Sequence, residues 1–293
     1  MNTIWKGCVL VLLLAGCEKK ISLNLIENNP KLVVEATIEN GQAPRVVLTH
    51  SVGYFSTISY QLFEGSFVHN ASVYVSNGTL THKLKEYTVP YAGAVNVYYY
   101  STDSSDLSTA ITGQTNHSYS LKIITGNDEY DATTTIPNFN KVIDSLWWEP
   151  VVNSKDPKRV NVLIQATDPP GYGDYIRYFT RRNSQPFLAP ANSVFDDQFI
   201  DGTTYQLILT PGIDRNAPKN DSANYFYKGD TVTLKLSSID RATYDFWRTM
   251  EYTYASIGNP FSTPVKVISN ISNGALGYFG GYASQYKTII IPH

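Results

Sequence analysis

Three carboxylates fall close together at Asp196, Asp197 and Asp201, the most chemical-looking group in the chain. Calcium takes roughly six to eight oxygen ligands, and such a cluster could supply some of them. The residue order does not follow an EF-hand loop, and aspartates also favour hairpin turns, so a turn is the simpler expectation. Asp168 and Asp174 flank Pro169-Pro170-Gly171. Two carboxylates about 5–9.5 Å apart are what glycoside hydrolysis requires. Aspartate's turn-forming habit explains this pair more cheaply, and no catalytic residue is assigned. Tyr98-Tyr99-Tyr100 lies beside Gly93 and Ser101 without strong strand alternation, so part of it is expected to be exposed. Exposed aromatic loops stack on sugars or anchor proteins, which makes these three tyrosines the binding candidates.

Other chemistries find little material. The five histidines, His50, His69, His82, His117 and His293, show no paired zinc-ligand spacing and no HExxH. There is no G-x-S-x-G elbow. Gly277 to Gly281 lacks the lysine and following helix of a phosphate loop, and is better read as a close approach between strands. No cofactor is expected, and the chain reads as non-enzymatic. A formal net charge of −2 excludes the basic footprint of a nucleic-acid binder. Asp144-Ser145-Leu146, Asp221-Ser222-Ala223 and Asp230-Thr231-Val232 match a short bacterial O-glycosylation signal, with Ser222, in a polar loop, the best placed.

The N-terminus carries the clearest signal. Lys6 precedes an apolar run from Gly7 to Leu14, and the small residues Ala15 and Gly16 lead into Cys17. That is the layout of a cleaved secretory signal, and the run falls short of the about 20 apolar residues that span a bilayer. Leu14-Ala15-Gly16-Cys17 resembles the lipobox of bacterial lipoproteins, which implies lipid (palmitate among its acyl chains) on Cys17 and cleavage before it. Two or more acyl chains make a stable anchor where one is marginal. Cys8 would leave with residues 1–16, so the mature chain could form no internal disulfide. Residues 17–30 are expected to be a lipidated tether.

The elements that must position any site read as β-structure. Tyrosine and threonine are abundant, with Gly, Asn, Asp and Pro between them. Lys31 to Ile38, Arg45 to Thr49, Val73 to Val75, Thr79 to Thr81, Tyr119 to Ile124 and Tyr130 to Ile136 are strand candidates. Asn77-Gly78 and Gly126-Asn127 mark two hairpins. This pattern predicts an N-terminal immunoglobulin-like β-sandwich over 31–137. A second β-rich domain over 138–293 follows, with strands at Val160–Thr167, Tyr175–Arg182 and Thr231–Leu236. A hairpin is expected at Asp201-Gly202, and short strands at Val265–Ile268 and Thr288–Ile291 flank the glycine-rich tail. One helix is predicted at about 238–257: Ser237 and Asp240 resemble a capping box, and Ile239, Ala242, Phe246, Met250, Thr253 and Ile257 line one face. The fold class is thus mainly β.

Several segments together resemble a known family: Cys17-Glu18-Lys19, Lys31 to Ala36 with Asn40-Gly41, Gly171-Tyr172-Gly173-Asp174-Tyr175, Asn259-Pro260-Phe261-Ser262, and Ser269-Asn270-Ile271 running into Gly277-Tyr278-Phe279-Gly280. It is the Bacteroidota outer-membrane lipoprotein family catalogued as domain of unknown function four-two-four-nine (DUF4249). The resemblance implies a lipid-anchored outer-membrane protein encoded near TonB-dependent nutrient receptors, hence an accessory or ligand-capture partner of one. It brings no catalytic residues. A stand-alone carbohydrate-binding lipoprotein and a carboxylate-dependent hydrolase are the alternatives. Glu18-Lys19-Lys20 is a weak export signal, and cell-surface display is slightly preferred over the periplasmic face.

Overall fold

The computed structural model describes residues 30–53, 56–91, 95–215, 217, 224–259, 261–263 and 265–293. The expected signal peptide, Cys17, nearly all of the tether and Ser222 lie outside them. The chain is mainly β, as its composition implied.

One eight-stranded sheet runs through the molecule in the order β12-β11-β15-β16-β1-β2-β6-β5. Its strands are β1 (Leu32–Glu39), β2 (Arg45–His50), β5 (Lys85–Tyr91), β6 (Val95–Ser101), β11 (Tyr175–Arg182), β12 (Val194–Asp196), β15 (Thr231–Ile239) and β16 (Leu276–Ile290). A four-stranded sheet covers each half. β3 (Ser72–Ser76), β4 (Thr81–Lys83), β7 (His117–Thr125) and β8 (Asp128–Ile136) form the first. β9 (Val142–Pro150), β10 (Arg159–Thr167), β13 (Thr204–Leu209) and β14 (Phe226–Tyr227) form the second. Alternation decides which side chains meet between the layers. Leu32, Val34, Ala36 and Ile38 of β1 face Val73, Val75, Leu121 and Ile123 in the first core. Val160, Val162 and Ile164 meet Val232, Leu234 and Leu236 in the second. The arrangement is sandwich-like in both halves. The large sheet itself crosses the boundary expected between residues 137 and 138, taking four strands from either side of it.

β16 is what makes the sheet continuous. Its first half pairs in parallel with β1, from Val33↔Leu276 to Glu39↔Tyr282, and its second half runs antiparallel to β15, from Ile239↔Tyr282 to Thr231↔Ile290. The glycine-rich tail is therefore strand, and Val265–Ile268 is not. Two glycines are there because backbone comes close. A Cβ on Gly277, whose φ is +96°, would sit 1.9 Å from the Val34 carbonyl oxygen; one on Gly281 would sit 2.5 Å from that of Thr135 in β8. Between them Phe279 is fully buried, which contributes about 1.5–3 kcal/mol.

Both Asn-Gly-type hairpins form, around 77–80 and at Gly126-Asn127. The Asp201-Gly202 hairpin does not: β12 pairs with β11 and β13 with β10, so this loop carries the chain from one sheet to the other. Strict alternation could not reveal that change of layer. Helix α2 (Arg241–Ser256) begins later than expected. Strand β15 continues to Ile239, Ser237 is buried against Ser284 in it, and Asp240 alone is the N-cap, accepting from the Thr243 amide at 2.9 Å. The buried face is Thr243, Tyr244, Phe246 and Glu251, while Ile257 is exposed. The stripe drawn from apolar residues alone misses polar anchors: Glu251 accepts from the Ser193 amide at 2.9 Å. A short helix, α1 (Tyr60–Glu64), also occurs, capped by Ser59. Among the described residues no helix is long and apolar enough to cross a membrane.

A candidate ligand-binding cleft

The acidic trio and the acidic pair singled out in the sequence lie at one place. Asp168-Pro169-Pro170-Gly171-Tyr172-Gly173-Asp174 turns the chain from β10 into β11, and the loop after β12 folds against it. Asp197 Oδ2 accepts the amides of Gly173 at 2.8 Å and Asp174 at 3.0 Å, and Asp201 Oδ1 accepts that of Gly171 at 2.6 Å. Carboxylate oxygens of Asp168, Asp197 and Asp201 lie within 4.8 Å of one another. Into this group comes the ammonium of Lys141, 3.0 Å from Asp168 Oδ1, with neither side chain accessible to solvent. Burying these charges is tolerable only because they are paired.

The calcium candidates are therefore regrouped. Asp196 is not in the cluster; its Oδ2 accepts from the Tyr244 hydroxyl at 2.8 Å. Asp168 takes its place, because the chain crosses between sheets here instead of turning back as a hairpin. With Lys141 as counter-charge and backbone amides on Asp197 and Asp201, the donor set fits a clamp on a turn better than a cage of roughly six to eight oxygens. A hydrolytic pairing of Asp168 with Asp174 meets an obstacle of the same kind, since the sealed Asp168 side chain cannot touch a substrate. Asp174 accepts from Asn140, and burial, the largest influence on it, holds its carboxyl above the usual range.

The Tyr98–Tyr100 triplet is not an exposed loop. It belongs to β6, paired with β5, with Tyr100 buried and Tyr98 and Tyr99 half-buried against neighbouring rings. Tyr100 is 2% exposed, with its hydroxyl 2.9 Å from the Val68 carbonyl oxygen. Tyr98 packs edge-on against His69, centroids 4.4 Å apart, and Tyr99 stacks on Tyr87 at 5.7 Å. Pro90 sits within β5, which is an edge strand, where proline costs little. Of the histidines, His82 is buried, its Nε2 accepting the Asp103 amide at 3.0 Å. Ser145 and Thr231 lie on strands β9 and β15.

What the clamped turn does is present Tyr172. The amides on both sides of it are held by Asp201 and Asp197, yet the residue is 76% exposed. Beside it opens a cleft of about 350 Å³, between the turn, β12 and the first turns of α2. Tyr172, Tyr175 and Tyr244 supply aromatic surface; Asp196, Gln198, Arg241, Asp245 and Arg248 supply polar groups. Tyr175 and Tyr244 are in ring contact at 4.7 Å, and the Arg248 guanidinium lies 5.8 Å over the Tyr244 ring. Burial, then the hydrogen bond to Asp196, pushes the Tyr244 hydroxyl up to about 12, so it stays a donor at neutral pH. Tyr175, Ile239, Tyr282 and Glu39 form one row across the sheet. Along β16 that row is about 20 Å from the one where Val33, just after the tether, meets Leu276.

Fold and cleft together define a mainly β protein of two sandwich-like halves that share one large sheet, with a helix-walled polar and aromatic cleft beside that sheet's β12 edge in the second half. The chain belongs to the family described as domain of unknown function (DUF4249), whose model matches residues 18–288. No curated protein matches the chain. Sequence reasoning placed chemistry on the aspartates of this region and missed Tyr172, Tyr175, Tyr244 and Arg248. The signal was available in part: Gly171-Tyr172-Gly173 puts a large ring between two residues free to adopt positive φ.

Proposed function

We propose that this chain is a lipid-anchored, non-catalytic lipoprotein of the Bacteroidota outer membrane that captures a ligand for a TonB-dependent nutrient receptor. The observation that carries the reading is Leu14-Ala15-Gly16-Cys17 behind a short apolar run, which routes the mature chain to a membrane by lipid on Cys17. The DUF4249 match supports it, as does a cleft of the size that holds small ligands. The protein acts on the cell surface, where a tethered capture domain meets ligand before the receptor does. No nucleic acid takes part.

The test is to tag the C-terminus, extract native membranes in mild detergent and identify what co-purifies by mass spectrometry. A stoichiometric TonB-dependent receptor is expected. Recovery of the lipoprotein alone overturns the partnership, and failure of metabolically supplied palmitate to label the chain, or labelling that survives Cys17→Ser, overturns the anchor. A stand-alone carbohydrate-binding role is the second reading, favoured by the exposed Tyr172 ring.

A further inference from the structure

We infer that the cleft between the 168–174 turn and helix α2 is a saccharide-binding site, with Tyr172 as its stacking platform and Arg248 and Asp196 as its polar contacts. The inference rests on the capture reading and names the ligand class for it.

The first observation is the cost invested in Tyr172. Three amides around it, those of Gly171, Gly173 and Asp174, are fixed by two aspartates, and a fully buried Lys141–Asp168 pair backs the cluster. All of that order is spent on a turn whose largest side chain packs on little of its own molecule. A backbone fixed before the ligand arrives leaves only the ring's own two torsions to be ordered on binding, which is how preorganised sites gain affinity. A flat, rigid, amphipathic ring suits the C–H face of a sugar, which offers apolar surface ringed by hydroxyls.

The second is the balance of charge. Arg241 and Asp245 pair with each other at 3.6 Å, and Asp197 is committed to backbone amides. Arg248 and Asp196 both lie against Tyr244, one a fork of donors over its ring and the other an acceptor whose Oδ2 takes the Tyr244 hydroxyl and whose Oδ1 is met only by a long contact, 3.4 Å, from the Gln198 amide. A hydroxyl both donates and accepts, so vicinal hydroxyls match a guanidinium set beside a carboxylate. A strongly anionic ligand would meet Asp196 and a strongly cationic one Arg248. The cleft volume of about 350 Å³ lies at the small-ligand end of the usual range.

The experiment uses the full-length lipoprotein in lipid nanodiscs, screened on an array of neutral and acidic oligosaccharides, with titration calorimetry on the best neutral binder. Saturable binding to a neutral oligosaccharide is expected, weakened roughly tenfold or more by Tyr172→Ser and by Arg248→Ala. Tyr91→Ser, which removes an exposed ring from the far edge of the large sheet, should leave it unchanged. Thermal unfolding of each variant guards against misfolding, and Tyr172→Phe should keep most of the affinity. Retention of no glycan, retention of acidic glycans only, or affinity indifferent to Tyr172 and Arg248 overturns the inference. A receptor that co-purifies with a protein binding no sugar leaves the capture reading standing while this one falls. Sugar binding without a receptor does the reverse.

Discussion

Asp240 accepts the Thr134 hydroxyl at 2.8 Å through the same oxygen that takes the Thr135 amide at 2.9 Å, while its other oxygen caps helix α2. One side chain thus ties the helix that walls the cleft to strand β8 of the first sandwich. Asp240→Ala removes a cap, worth about 1 kcal/mol, and charged hydrogen bonds worth roughly 1.5–3 kcal/mol each. The variant should lose about 2–4 kcal/mol of stability in urea unfolding, and Asp240→Asn distinctly less.

The Lys141–Asp168 pair has no accessible side-chain surface. Lys141→Met leaves the Asp168 carboxylate buried without its counter-charge, and a loss of about 3–5 kcal/mol is expected. Replacing both, as Lys141→Met with Asp168→Leu, should recover most of it. A double-mutant cycle by chemical denaturation checks the coupling, and additive losses would mean that the two charges do not act as a pair.

Gly277→Ala should be among the most damaging single substitutions in the chain. The added Cβ would have to occupy space held by the Val34 carbonyl, at a φ that side chains rarely adopt. A loss of more than about 2 kcal/mol follows, together with weaker amide protection along β1. Hydrogen exchange on the variant reads both.

Alkali should unfold the protein through its buried tyrosines. Burial pushes the Tyr100 and Tyr205 hydroxyls up to about 12. Below about pH 10 the folded and unfolded chains both keep these protons, and stability does not depend on them. Between about 10 and 12 the unfolded chain ionises first, so stability falls as pH rises through the window. Ultraviolet titration should show a slow fraction of tyrosines ionising only as the fold is lost. Tyr100→Phe removes the group and should flatten part of that slope.

How far the sequence could be read depended on whether the signal was local. Val160–Thr167 and Tyr175–Arg182 emerge as β10 and β11 to within a residue, because β-branched and aromatic runs between turn residues carry their own boundaries. Asn77-Gly78 and Gly126-Asn127 likewise encode their hairpins in backbone preference. The start of α2 was misplaced by the resemblance of Ser237 and Asp240 to a capping box. Pairing with β11 and β16 holds Ser237 in extended backbone, and that long-range demand outweighs local capping.

By itself, the sequence determined the β class, the hairpins at Asn77-Gly78 and Gly126-Asn127, one helix and the acidic, glycine-bracketed turn at 168–174, since each is written in side-chain pattern or φ preference over a few residues. The tertiary structure alone decided three things. β16 passes between β1 and β15 and makes one sheet of two halves; Asp168 and not Asp196 joins Asp197 and Asp201; and Tyr172 stands exposed over a cleft while Tyr100 is buried. The physical reason is common to all three. Alternation fixes which face a side chain takes, but which strands become neighbours depends on the burial and hydrogen bonding of segments far apart in the chain.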